Sequence, residues 1–295
     1  MIVSINNDQL KVSVKLLGAE ICSVVDCKTG KEYIWKADPN YWARQAPVLF
    51  PFVGSLKDKK YECKGNTYEM VQHGFARDME FRLEKETNHE LWFSLRSNES
   101  TRAIYPYDFQ FNIGYRLDGR TLTVMYEVLN PSDETIYFGL GAHPGFPCNF
   151  DEEDYYFRFP NIKNLSSFFI DPKSGCRALT PKEVALNKIE EEYAYLKLTK
   201  ELFEADALIV EQSGIYEVAL CKGEREVVKA SFDAPLFGLW SPAGKNAPFV
   251  CIEPWYGRCD RVDSSYDITS KDYINALIKG ETFKKSYQLE FYESF

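Results

Sequence analysis

Hydrophobic and polar residues alternate along most of this chain with a period of two. In "TLTVMYEVLN", Leu122, Val124, Tyr126 and Val128 share one face while Thr121, Thr123 and Glu127 take the other. That is the pattern of a β-strand with one buried side. The stretches "NDQLKVSVKLL", "YECKGNTYEM", "ELWFSLRS" and "ALIVEQSGIYEVAL" behave alike, and turn formers such as Lys64-Gly65-Asn66 and Ser213-Gly214 punctuate them. Helical signals are confined to two segments. "TPKEVALNKIEEE" offers Thr180 as an N-cap, Pro181 at the first helical position and Glu183 for a capping box, and "SKDYINALIKG" runs from Ser270 to a terminal Gly280. No linker, low-complexity run or repeat of fixed period interrupts the pattern. The expectation is an all-β protein, a large antiparallel β-sandwich or barrel with few short helices, spanning residues 1–295 as a single domain.

The composition, 45% hydrophobic and 27% charged, suits a sizeable core. A formal net charge of −9 repels phosphate backbones, so neither nucleic acid nor an anionic membrane is an expected partner and a neutral or weakly charged small molecule is. The opening "MIVSINNDQL" has no leader pattern, and no run approaches the ~18 apolar residues of a membrane span, which predicts a cytoplasmic location. The eight cysteines show no C-x-x-C pair or disulfide-scaffold spacing and read as reduced, mostly buried thiols. There is no G-x-S-x-G, no H-E-x-x-H and no dinucleotide glycine fingerprint, so nucleophilic and hydride-transfer chemistry lack support.

Candidate chemistry concentrates in two short stretches. In "GAHPGF", His143 precedes a proline, which pushes it out of the helical region and holds it on rigid extended backbone. In "CIEPWYGRCD", Glu253 precedes Pro254 in the same way, follows the apolar run "APFVCI", and so belongs near the buried end of a strand, where a carboxylate is costly unless paired or functional. An imidazole and a carboxylate presented alike point to an acid and a base. Beside them, Trp255 reads either as core or as a flat surface for the C–H face of a sugar ring. His73, in "QHGFAR", reads equally as a polar patch at a sheet end or as a hydrogen-bonded structural histidine; His89, in "KETNHEL", reads as solvated hairpin. Asp206, opening "ALIV", reads as a hydroxyl ligand or as an ordinary turn aspartate. A metal reading exists as well, because His73, His143 and Glu253 make a two-His, one-carboxylate set; their separation of 70 and 110 positions gives no local ligand spacing, so no metal is expected.

The ordered series "LFPFVG … QHGFAR … GAHPGF … FEADALIV … IEPWYG" resembles the aldose 1-epimerase, or galactose mutarotase-like, family, and within it the lactose-operon X-type branch. The resemblance runs over nearly the whole chain. It implies a β-supersandwich with an open sugar cleft and no cofactor, Glu253 as general base, His143 as general acid, and His73 and Asp206 as ligands of sugar oxygens. It further implies interconversion of the α and β anomers of a hexose, with a hexose-6-phosphate 1-epimerase or a non-catalytic sugar-binding protein as alternatives. At the position where better-known mutarotases carry an arginine, "VGSLKD" has Ser55; Arg44 and Arg77 are candidates for the missing cation. In these roles Glu253 is expected ionised and His143 protonated in the free protein.

Overall fold

The computed structural model describes residues 1–293. The period-two pattern is realised strand by strand. Leu122, Val124, Tyr126 and Val128 are all buried in the strand Thr121–Leu129 while the residues between them are partly exposed. That strand lies inside a ten-stranded sheet in which it pairs with Thr282–Phe291 on one side and Gln110–Asp118 on the other, all antiparallel. A second sheet carries the site: Leu208–Glu211, Leu236–Trp240, Phe249–Tyr256, Leu140–Ala142 and Val48–Leu49 in that spatial order, with Gly145–Pro147 also paired to Phe249–Tyr256. The main hydrophobic cluster takes residues from both sheets, including Leu122, Val124, Leu239, Val250 and Ile252, so the core sits between them. No helix of the described residues is long and apolar enough to cross a membrane.

Neither expected helix forms. Residues of "TPKEVALNKIEEE" instead contribute the short strands Lys182–Val184 and Lys188–Ile189, and "SKDYINALIKG" contributes a single 3₁₀ turn ending at Ser270 and the strand Asn275–Leu277. The reason is pairing: Leu165–Ser167 and Ile136–Phe138 supply ladder partners for Lys182–Val184 and Asn275–Leu277, and tertiary hydrogen bonding overrides a local cap signal. The α-helix that does form among the described residues, Glu99–Ile104, is one and a half turns closed by a capping box between Asn98 and Thr101. Of the eight free cysteines, six are buried, Cys22 is half-buried and Cys27 is exposed.

A buried charge cluster ties the N-terminal sheet to the last strand. Asp26, 1% exposed, accepts from the backbone N–H groups of Lys28 and Thr29 and from Arg120 Nη2 at 2.7 Å, while Arg120 Nε donates to the Phe291 carbonyl. Burial alone would raise the Asp26 carboxyl, but these donors outweigh it and hold the group at about 2. A depressed folded-state value means stability that is present above the ordinary carboxylate range and lost as pH falls from about 4 to about 2. Arg120→Ala is therefore expected to destabilise the fold by about 3 kcal/mol at neutral pH and to move the acid unfolding limb to higher pH, read as Tm against pH.

Candidate active site

The strand Phe249–Tyr256 is buried on both faces. Val250, Ile252 and Tyr256 join the main core, whereas Phe249, Cys251 and Trp255 pack in separate clusters on the opposite face, the face that also presents Glu253. Leu236–Trp240 pairs with this strand without interruption from Cys251 to Trp255. The other side is interrupted. Gly145 pairs with Cys251 and Gly141 with Trp255, and residues 142–144 and 252–254 face each other across a gap in the ladder. Each side of the gap contains one proline, Pro144 and Pro254, which lacks the N–H a ladder would use. Carried through the gap, the register sets His143 opposite Glu253. The His-Pro and Glu-Pro dipeptides are thus the two halves of one feature, and Glu253 lies within the strand, short of the end where the sequence pattern placed it.

His143 Nε2 lies 3.3 Å from Glu253 Oε2, close but not aligned as a hydrogen bond, and the two side chains are 8% and 1% exposed. Burial pushes the Glu253 carboxyl well above the usual range, with Asp206 adding to the rise, and pushes the His143 imidazole down to about 3. Burial thus pushes both groups toward their uncharged forms, a protonated carboxyl and a neutral imidazole, against the ionisation expected from the sequence. Trp42 stacks on the His143 ring at 4.8 Å and Trp240 meets it edge-on at 5.2 Å. Trp255 lies across both neighbouring strands, which is possible only because Gly238 and Gly141 face it; a Cβ there would come within 2.6 and 2.7 Å of the indole.

These groups line a cavity of about 390 Å³, in the range that encloses a small molecule, together with His73, Asp206, Arg77 and Ser55. His73 and Asp206 both sit at positive φ, +67° and +66°, a backbone conformation that side-chain-bearing residues adopt at a cost. The His73 backbone N–H donates to the Gly54 carbonyl at 2.9 Å and its Nδ1 accepts from Gly54 N–H at 3.0 Å, so a neutral His73 carries its proton on Nε2. Burial, followed by the neighbouring His143, holds its imidazole well below the ordinary value. Burial raises the Asp206 carboxyl against the opposing effect of the Trp240 indole. Arg77 reaches the cavity with its Nη2 on the Gln72 carbonyl and a buried Nε that has no hydrogen-bond partner among the described residues. Arg44 is not part of the lining; its guanidinium is paired with Asp78 at 2.8 Å.

Two contributions were invisible in the sequence. Trp42 and Trp240 flank His143 from a loop and a strand end that carry no motif. Gly175 lies where a Cβ would be 3.2 Å from Ser55 Oγ, at the tip of a turn closed by the Asp171 side chain and docked through Arg177 N–H on the Asp260 carbonyl. Asp260 N–H in turn donates to the Ser55 carbonyl. The metal-donor arrangement also differs from the two-His, one-carboxylate set of the sequence: the donor atoms within 4.8 Å of one another are those of His143, Glu253 and Cys251, and His73 is not among them.

The arrangement can move a proton between a bound molecule and a buried acid–base pair, against three indoles and a guanidinium. The sequence model of the aldose 1-epimerase family matches residues 1–165. The protein called LacX, plasmid, of Lactococcus lactis subsp. lactis is 31% identical over 301 residues, covering 98% of this chain and 99% of its own. Two crystal structures superpose over nearly everything. A galactose mutarotase related enzyme of Lactobacillus acidophilus gives a TM-score of 0.92 at 36% identity, covering 99% of this chain and 98% of its own. A galactose mutarotase-like protein of Lactobacillus casei gives 0.89 at 27% identity, covering 99% and 100%.

Proposed function

Because the chain belongs to the aldose 1-epimerase family, we propose that this cleft interconverts the α and β anomers of a hexose by acid–base ring opening and closure. The observation that carries the reading is the convergence of Glu253 and His143 at 3.3 Å on the wall of a cavity of sugar-sized volume. Ring opening takes the proton from the C1 hydroxyl and protonates the ring oxygen O5; Glu253 serves as base and His143 as acid. After opening, the carboxyl holds a proton and the imidazole is neutral. Rotation about C1–C2 and the reverse transfers then deliver the other anomer.

The protonation state favoured by burial is therefore the state the cycle reaches with the sugar open. A cyclic sugar engages the other tautomer, carboxylate and imidazolium, by supplying hydroxyl donors to the Glu253 carboxylate on the cavity lining. The Arg77 guanidinium and His73 Nε2 are donors for sugar oxygens and Asp206 accepts from hydroxyls, while the Trp255 indole N–H opposes the rise of the Glu253 carboxyl. The indole faces of Trp255 and Trp42 cover ring C–H groups. The chemistry needs no metal or nucleotide, and the partner is a small carbohydrate. Polarimetry on freshly dissolved aldoses tests the activity directly.

A hexose phosphate is the second reading, and the guanidinium of Arg77 on the cavity lining favours it. Against it, Asp78 faces both Arg77 and Arg44 and already neutralises part of their charge. Arg77→Ala is expected to weaken the kcat/KM of a neutral hexose and of its 6-phosphate to a similar, modest degree. A loss roughly 10-fold or more greater for the phosphate would show that the guanidinium grips an anion. Arg44→Ala should change neither, since its guanidinium is held by Asp78 outside the cavity lining.

A further inference from the structure

We propose that His143, Cys251 and Glu253 form an inhibitory binding site for a soft divalent cation of the zinc type. Cys251 is two residues before Glu253 on the same strand and projects from the same face, but it does not line the cavity; it packs with Trp35, Ala247 and Phe249 behind the acid–base pair. One imidazole nitrogen, one thiol sulfur and one carboxylate oxygen lie within 4.8 Å of one another, all on buried side chains. Two of these side chains carry buried polar atoms with no hydrogen-bond partner among the described residues: Glu253 Oε2, and the Nδ1 of His143, whose Nε2 is the atom 3.3 Å from the carboxylate. Nothing in the proposed sugar chemistry uses the thiol.

The donor set is that of a zinc site with three protein ligands and one open position, and two of the ligands, His143 and Glu253, line the cavity. Zinc–sulfur and zinc–nitrogen or –oxygen distances of about 2.3 and 2.0–2.2 Å place tetrahedral ligands roughly 3.5 Å apart. The His143–Glu253 pair already meets this, and since no donor pair is more than 4.8 Å apart, a closure of about 1 Å at most is needed, within reach of side-chain rotation. Charge is balanced too. Binding releases one proton from the thiol and one from the carboxyl to water, and a dication with one thiolate, one carboxylate and one neutral imidazole is a neutral unit, the form a buried site tolerates. Hard cations such as magnesium or calcium gain nothing from the thiolate.

That the ion inhibits rests on the reading of Glu253 and His143 as the catalytic pair, because coordination occupies both. That it binds does not, so the two are tested separately. Cobalt(II) added to the purified protein is expected to produce the intense near-ultraviolet thiolate-to-cobalt charge-transfer absorption and the visible bands of a tetrahedral site. Cys251→Ala, which keeps every residue of the cavity wall, should lose the charge-transfer band. In polarimetric assays, zinc should inhibit the wild type reversibly, with recovery on adding chelator. Cys251→Ala should match wild-type turnover without metal within about twofold and need at least roughly 10-fold more zinc for half inhibition. No charge-transfer band in the wild type, or a band retained in Cys251→Ala, overturns the site whatever the protein's activity. A band that behaves as expected, in a protein that shows no mutarotation, leaves the cation site standing and overturns the catalytic reading instead.

Discussion

Glu253→Gln is expected to lower mutarotation by roughly 10³-fold, because the amide fills the same space but cannot take the proton from the C1 hydroxyl. The loss should fall on kcat. A change confined to KM would make Glu253 a binding residue, and near-normal turnover would remove it from the mechanism and favour a sugar-binding protein on the same scaffold. The same substitution makes a second, opposite prediction for stability. The Glu253 carboxyl is 1% exposed, is raised by its burial, and has one oxygen without a hydrogen-bond partner among the described residues. Replacing it by a neutral amide removes an ionisable group the fold does not satisfy, so Tm should be no lower than that of the wild type. Lost activity at undiminished Tm separates a functional carboxylate from a structural one; a fall of several degrees alongside the lost activity would mean that the residue supports the fold.

How far this site could be read from sequence differs group by group. Local information sufficed for the alternating strands, since period-two alternation states which face is buried, and Leu122 to Val128 follow it residue by residue. It also singled out His143 and Glu253, because an ionisable group before proline within apolar sequence is unusual on its own terms. Their meeting was not legible. It depends on a register between segments 110 residues apart, in which Gly141 pairs with Trp255 and Gly145 with Cys251 so that the two proline-containing segments coincide. The family resemblance supplied the pairing that periodicity could not. The cap signal at Thr180 misleads for the complementary reason: a capping box is worth about 1 kcal/mol, less than the ladder Lys182–Val184 forms with Leu165–Ser167. Trp42 and Trp240 had no signal at all, since what matters about them is distance to an imidazole. The direction in which each group is pushed was not legible either, because it comes from burial, at 8% and 1% exposure, which local sequence does not state.

Those directions make the pH profile of His143→Asn the most discriminating measurement. In the wild type the pair carries one proton across a central pH range, and both ends of that range abolish turnover. With the carboxyl raised and the imidazole lowered to about 3, the acid limb of kcat/KM reports arrival of a second proton, carried mainly by His143. The alkaline limb reports loss of the only proton, carried mainly by Glu253. The limbs thus belong to the groups opposite to those that ordinary side-chain values would assign, with the two values belonging to the pair as a unit. The asparagine amide of the variant cannot hold a proton, so activity should drop roughly 10²-fold or more and what remains should require only that Glu253 be ionised. The variant's profile is then a single rising limb. Its alkaline limb disappears, and its acid limb shifts to higher pH than in the wild type, because it now follows the raised carboxyl instead of the lowered imidazole. An acid limb left in place would mean that Glu253 ionises in the ordinary range despite its burial. An alkaline limb left unchanged would mean that the acid lies elsewhere, and His73, whose ring sits 5.5 Å from that of His143 and contacts Gly54 through Nδ1, leaving Nε2, would take the role.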